Sequence, residues 1–188
     1  MFCFKNYKGI KGTSIELNGG GLYCIVGKNE SGKTTILKGI RDAVNILTTG
    51  SIGNKDEYNN GIRDCIDLSV SGLTDDIIFG IEFELEENNI KDFELKKTDK
   101  ILYFEFVYHF IGGTLREFNG TESNVYVVKN NKKNKCENSD KIINKIMEEF
   151  KSGHHLICPP VYYYSDFFTE MLDEVFFCFF IMQKICYG

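Results

Sequence analysis

The chain has 188 residues, 43% hydrophobic and 26% charged, with a formal net charge of -5. That is enough apolar material for one domain with a real core, and the acidic balance excludes a globally basic nucleic-acid binder while leaving room for a local basic surface. No window reaches the ~18 consecutive apolar residues that a membrane-crossing helix needs, and the start, Met1-Phe2-Cys3-Phe4-Lys5-Asn6-Tyr7-Lys8, lacks the layout of a signal peptide. Seven cysteines (Cys3, Cys24, Cys65, Cys136, Cys158, Cys178 and Cys186) include no C-x-x-C pair. An odd count, with several in apolar runs, reads as buried free thiols in a reducing compartment. The expectation is a cytoplasmic protein with no membrane partner.

Phe2 to Tyr7 and Thr13 to Leu17 read as short strands, with Gly9 and Gly12 between them. Gly19-Gly20-Gly21 forces a turn before the apolar run Leu22-Tyr23-Cys24-Ile25-Val26. These first strands lie too close together for helical crossovers, so they are expected to pair antiparallel.

Gly27-Lys28-Asn29-Glu30-Ser31-Gly32-Lys33-Thr34 follows that run and leads into a helical pattern. This is G-x-x-x-x-G-K-[ST] in its required setting of strand, loop and helix. The glycines let successive backbone N–H groups turn inward around phosphate oxygens, and the helix N-terminus adds its positive dipole end. In that chemistry Lys33 reaches the β- and γ-phosphates and the Thr34 hydroxyl ligates Mg²⁺. Gly27 to Thr34, with Thr35, form the candidate set for ATP, and Thr34 is the candidate metal ligand.

Ile36, Leu37, Ile40, Val44 and Leu47 share one helical face, and Thr48-Thr49-Gly50 ends the helix. Residues 50–61 are polar and glycine-rich and read as a loop. In Ile78 to Glu86, Phe79, Ile81, Phe83 and Leu85 alternate with Glu82, Glu84 and Glu86, the pattern of a half-buried strand. Ile101 to Ile111 is apolar on nearly both faces and reads as a central strand. Gly112-Gly113 gives a hairpin, Thr114 to Phe118 the return strand, Asn119-Gly120 a further turn and Val125 to Val128 another strand. The whole is an antiparallel meander.

Lys129 to Asn138, with Lys129, Lys132, Lys133 and Lys135, reads as a solvated loop before a phosphate-contacting one. Ser139-Asp140 opens a helix with Ile142, Ile143, Ile146, Met147 and Phe150 on one face, closed by Gly153. The pair His154-His155 reads as a surface or capping pair, because adjacent histidines diverge and no other ligand cluster accompanies them. Leu156-Ile157-Cys158 is a short buried strand stopped by Pro159-Pro160. Val175 to Met182 is apolar throughout and needs burial in a strand or an interface.

The opening Phe4-Lys5-Asn6-Tyr7-Lys8, the Ser14 to Leu17 strand and the loop with Asn29 and Ser31 resemble the start of an ABC-type AAA family ATPase head of the SMC, RecF and OLD-like group. Tyr162 to Phe167 is similar to a segment in OLD-like members. The resemblance implies an α/β phosphate-loop NTPase fold with a substantial antiparallel meander. It implies bound ATP and Mg²⁺, head-to-head dimers, and hydrolysis coupled to DNA in repair or phage defence. It adds Lys8 to the candidate nucleotide contacts and, with less weight, Asn6.

Departures bound that picture. No S-G-G signature is present, the only glutamine is Gln183, and the late pair Asp173-Glu174 follows a poor strand. Catalytic residues are therefore unassigned. The expectation is one partial head domain over 1–188, with strands, loop and first helix in 1–47, the β region in 77–129 and an incomplete part in 139–188. It would hydrolyse ATP weakly or not at all alone, and a partner chain would supply the missing lobe. The alternatives are a nucleotide or nucleoside kinase, which would continue in parallel βαβ units, and a non-enzymatic docking subunit.

Overall fold

The computed structural model describes residues 1–17, 21–28, 32–50, 76–111, 117–152 and 177–181. In chain order the elements are β1 (Phe2–Tyr7), β2 (Ile10–Ile15), β3 (Gly21–Ile25), α1 (Lys33–Thr49), β4 (Ile77–Glu84), α2 (Glu87–Asp92), β5 (Ile101–Ile111), β6 (Glu117–Lys129), β7 (Lys132–Lys135), α3 (Ser139–Lys151) and β8 (Phe177–Ile181). Six of the strands form one antiparallel sheet in the order β2-β1-β4-β5-β6-β7. The expected meander is thus β4 to β7, and the β1–β2 hairpin extends it along the free side of β4.

Alternation decides which face is buried. Phe4 pairs with Phe79 and Phe79 with Phe106, while Phe2 pairs with Ile81 and Ile81 with Phe104. These rows run straight across the sheet, so their side chains share a face. All six are buried, with Phe79, Ile81 and Phe104 fully so. Helices cover this face: α1 packs on β1 and β4, and α3 packs on β6 and on α1. Leu37, Ile40, Val44 and Leu47 of α1 and Ile142, Ile143 and Ile146 of α3 complete the core. The α1 stop is the expected one, with Gly50 in the left-handed region (φ 75°) and its N–H donating to the Ile46 carbonyl.

Four expectations are corrected. The second strand begins at Ile10, because Lys8 and Gly9 both take positive φ (42° and 87°) and close a two-residue turn between paired Tyr7 and Ile10. Asn119-Gly120 is no turn. Tyr108 pairs with Thr121 and Phe110 with Phe118, so β6 carries one extra residue there and absorbs it as a bulge, with Gly120 at φ 108°. The lysine-rich stretch is no loop either. Asn130 and Asn131 (φ 49° and 60°) make a tight turn that folds Lys132–Lys135 back along β6. Finally, α2 stands where the sequence reading assigns no element. Its first turn is tied by the Glu86 N–H donating to the Asn89 side-chain oxygen (3.3 Å), and it buries Ile90 and Phe93.

The 50–61 loop beyond Gly50, the Gly112-Gly113 turn, the Gly153 stop, His154-His155, Tyr162 to Phe167 and Asp173-Glu174 lie outside the described residues. Among the described residues, no helix is long and apolar enough to cross a membrane. Cys3 and Cys136 are half-buried, and burial pushes their thiols above the ordinary range, whereas Cys24 is exposed, against the expectation of buried thiols.

On the opposite face, Tyr103 is 4% exposed and lies across Gly80. A Cβ at Gly80 would fall 2.7 Å from the ring carbon Cζ of Tyr103 and 2.8 Å from Cε2. Gly80→Ala should therefore cost about 1–3 kcal/mol of stability through overpacking. Urea unfolding checks this, and Tyr103→Ala in the same chain should cancel most of the penalty of the added methyl group.

Asp99 gives a pH prediction. Burial disfavours its carboxylate, but the Lys129 ammonium (2.5 Å) and the Thr98 hydroxyl outweigh it and hold its pKa below the ordinary 3.8. A folded pKa below the unfolded one contributes stability above the unfolded value, and that stability is lost as pH falls through the folded value. Asp99→Asn should thus lie below the parent in stability at neutral pH. The gap should close in acid below the carboxylate range, as read by urea unfolding across that range.

Candidate functional site

The expected strand before the motif and the helix after it are in place. β3 ends at Ile25, the chain passes through Val26, Gly27 and Lys28, and α1 begins at Lys33. Gly32 is the residue before the helix, at φ 88° and ψ 7°, a left-handed conformation that glycine takes without a Cβ penalty. The first helical bond runs from the Ile36 N–H to the Gly32 carbonyl at 2.9 Å. Gly32 has no side chain to cap this end, and no acidic residue stands in the first turn. An α-helix leaves its first four N–H groups without intrahelical partners, so backbone donors and the positive dipole end face the loop.

Lys33 is 6% exposed. A lysine at that burial needs partners, and its Nζ donates to the carbonyls of Gly27 and Lys28. The lysine thus curls back over its own loop, and Gly27, Lys28, Gly32 and Lys33 are brought into one place. Thr34 and Thr35 are half-buried at the second and third positions of α1. Asn29, Glu30 and Ser31 lie outside the described residues. Among the described residues the site offers a helix N-terminus with its backbone amides, the Lys33 ammonium and the Thr34 and Thr35 hydroxyls, a donor set that fits polyphosphate with a bound Mg²⁺.

β3 itself is not part of the large sheet. It pairs antiparallel with β8, from Gly21 opposite Ile181 to Ile25 opposite Phe177. The expectation that the first three strands form successive hairpins therefore holds for β1 and β2 and fails for β3. The apolar run near the end of the chain is accounted for as a strand over Phe177–Ile181 beside β3.

Lys8 sits in the β1–β2 turn with its ammonium 5.7 Å from the centre of the Tyr7 ring. The Asn6 side chain donates to the Asp76 carbonyl at 2.9 Å, which ties β1 to the start of β4.

A family model described as an AAA domain matches residues 4–169. The chain belongs to this AAA-type P-loop ATPase family. The match begins in β1, contains the whole Gly27–Thr34 motif, and runs beyond α3, so the family covers both the loop and the antiparallel sheet. Neither a curated protein nor a solved structure matches the chain.

One element of the region was not legible as a motif. Asp42 of α1 is 1% exposed and takes a hydrogen bond from the Tyr7 hydroxyl at 2.7 Å. Neither residue type nor spacing signals the pair, because the partners lie 35 positions apart.

Gly32 supplies a direct check on the loop geometry. Nothing lies within 4 Å of where its Cβ would be, so a side chain meets no steric obstacle there. Gly32→Ala should cost about 1–2 kcal/mol from the left-handed backbone alone. The check is urea unfolding beside a Gly12→Ala control, whose site is equally open but carries no positive φ.

Proposed function

We propose that this AAA-family chain binds ATP with Mg²⁺ at the Gly27–Thr34 loop, as part of an ABC-type head of the SMC and OLD-like kind. The observation that carries the reading is Lys33, buried against the carbonyls of Gly27 and Lys28 at the N-terminus of α1. Gly27 to Gly32 would wrap the phosphates with their backbone amides, Lys33 would exchange its loop carbonyls for phosphate oxygens, and Thr34 would hold Mg²⁺. Thr35 lies on the same first turn. Lys8 enters as a second-rank nucleotide contact, supported by family resemblance alone.

The finer reading is a head acting on DNA in repair or defence, as a head-to-head dimer or with a partner chain that completes the site. The loop, first helix, antiparallel sheet and α3 would then form a single lobe. Phosphoryl transfer needs several charge-neutralising parts at once, so binding is proposed ahead of hydrolysis and no catalytic carboxylate is assigned. The kinase alternative loses support from the sheet. β4 and β5 lie side by side and antiparallel, whereas that reading requires parallel crossovers.

Titration with a fluorescent ATP analogue in Mg²⁺ tests the proposal. Lys33→Ala should weaken binding by about 10-fold or more, the worth of one charged hydrogen bond. Removing Mg²⁺ should weaken binding to the parent more than binding to Thr34→Val. Equal affinity of the parent and Lys33→Ala would rule out the loop as the site.

A further inference from the structure

We infer that Tyr7 and Asp42, steadied by Arg41, are positioning residues that set the orientation of α1 and hence of Lys33 at its N-terminus. The inference deepens the ATP-binding reading and rests on it for its functional consequence. Asp42 is a charged residue at 1% exposure, on a helix that otherwise buries Leu37, Ile40, Ala43, Val44, Ile46 and Leu47 together with the Thr48 hydroxyl and, at its start, Lys33. Both of its carboxylate oxygens are used. Oδ2 accepts the Tyr7 hydroxyl at 2.7 Å, and Oδ1 accepts Nε and Nη2 of Arg41 at 3.0 and 2.9 Å.

A buried charge of this kind is a poor source of stability. Replacing such a group with a well-packed apolar residue is often neutral or favourable. What it adds is direction. Apolar contacts between helix and sheet are non-directional and tolerate small rotations and slides. A short hydrogen bond to a fixed donor does not.

Tyr7 is such a donor. It is fully buried, with its ring centre 5.1 Å from that of Phe79 and 6.1 Å from that of Phe4, both on the sheet. Its hydroxyl is therefore anchored to the β1–β4 pair, and the bond to Asp42 fixes α1 against that pair. Gly39 sets the helix close to the sheet nearby, since a Cβ there would lie 3.2 Å from the Phe4 ring. Between Asp42 and Lys33 the helix is continuous, a separation of about 13 Å along its axis. Over that length an α-helix is stiff, so an angular change at Asp42 appears at Gly32 and Lys33. The phosphate loop then depends on a hydroxyl that touches no nucleotide.

The test uses the full chain with Tyr7→Phe, which keeps the ring and removes only the hydroxyl. Gly80→Ala is the control, because it destabilises the far face of the sheet without touching the network. Two readouts are compared at matched loss of global stability, set by denaturant. The first is amide hydrogen exchange from Ile36 to Ile40 without nucleotide. Tyr7→Phe should speed it about 10-fold beyond the control, through local opening of the helix start. The second is affinity for the fluorescent ATP analogue, which Tyr7→Phe should lower about 5-fold while the control leaves it within 2-fold.

Asp42→Asn keeps an oxygen for the Tyr7 hydroxyl and should recover most of both readouts. If Tyr7→Phe fails to fold, Asp42→Leu, which removes both acceptor oxygens, takes its place and should shift both readouts in the same direction as predicted for Tyr7→Phe. Equal shifts in Tyr7→Phe and Gly80→Ala would overturn the inference and leave the network as ordinary core. Failure of the parent to bind the analogue would sink the ATP reading instead, and the exchange comparison would still decide whether the network orients α1.

Discussion

Phe79 is the contact on which the rest of the fold depends. It has no exposed surface, and its ring meets those of Phe4, Tyr7 and Tyr108 at centre distances of 6.1, 5.1 and 6.0 Å, with Tyr7 closest. Two of these meetings, with Phe4 and Tyr7, join the central strand β4 to β1, and the third joins it to β5. Burying one such ring is worth about 1.5–3 kcal/mol, and edge-on ring pairs add about 0.5–1.5 kcal/mol each. The platform so made is what α1 lies on. The glycine at position 39 lets the helix settle onto Phe4, and the phosphate loop inherits its position from that seat. A feature recognised by a motif at Gly27–Thr34 is therefore held in place by aromatic residues outside the motif.

Charge is handled locally. The Lys129 ammonium pairs with Asp99, Lys135 with Glu122 at 3.6 Å, and Lys133 lies 3.1 Å from the centre of the Tyr103 ring. The lysine run expected to be a solvated loop is exposed as expected over Lys132–Lys135, but Lys129, Lys133 and Lys135 each have a partner in the fold. That arrangement explains how an acidic chain tolerates four lysines within seven residues.

Legibility in the sequence followed distance along the chain. α1 and the alternating strand β4 were readable because each declares its period within a dozen residues. The central strand β5 was readable because it is apolar on both faces. Where the reading slipped, a local backbone choice decided the outcome. Lys8-Gly9 closes its turn in two residues, Gly120 turns an apparent break into a bulge, and Asn130-Asn131 converts a loop into a hairpin. Polar residues at these positions announce a positive φ but not whether the chain reverses. The phosphate loop was readable because its chemistry demands a fixed spacing. The Tyr7–Asp42 pair was not, because side-chain partners 35 positions apart leave no periodic trace. The antiparallel pairing of β3 with β8 was equally hidden, since strand direction in a distant pair is set by the course of the chain between them.

The edge strand β7 shows what the lysine hairpin does beyond its own pairing. All four of its residues, Lys132 to Lys135, are exposed, and three of them are lysines. An outermost strand offers a row of unpaired N–H and C=O groups to any passing extended chain. Here a second copy arriving edge to edge would bring its own lysines alongside these, and the two rows would repel. Among the described residues the sheet thus ends at β7, which is hydrogen-bonded on its inner side and carries on its outer side lysines that disfavour the addition of a further strand.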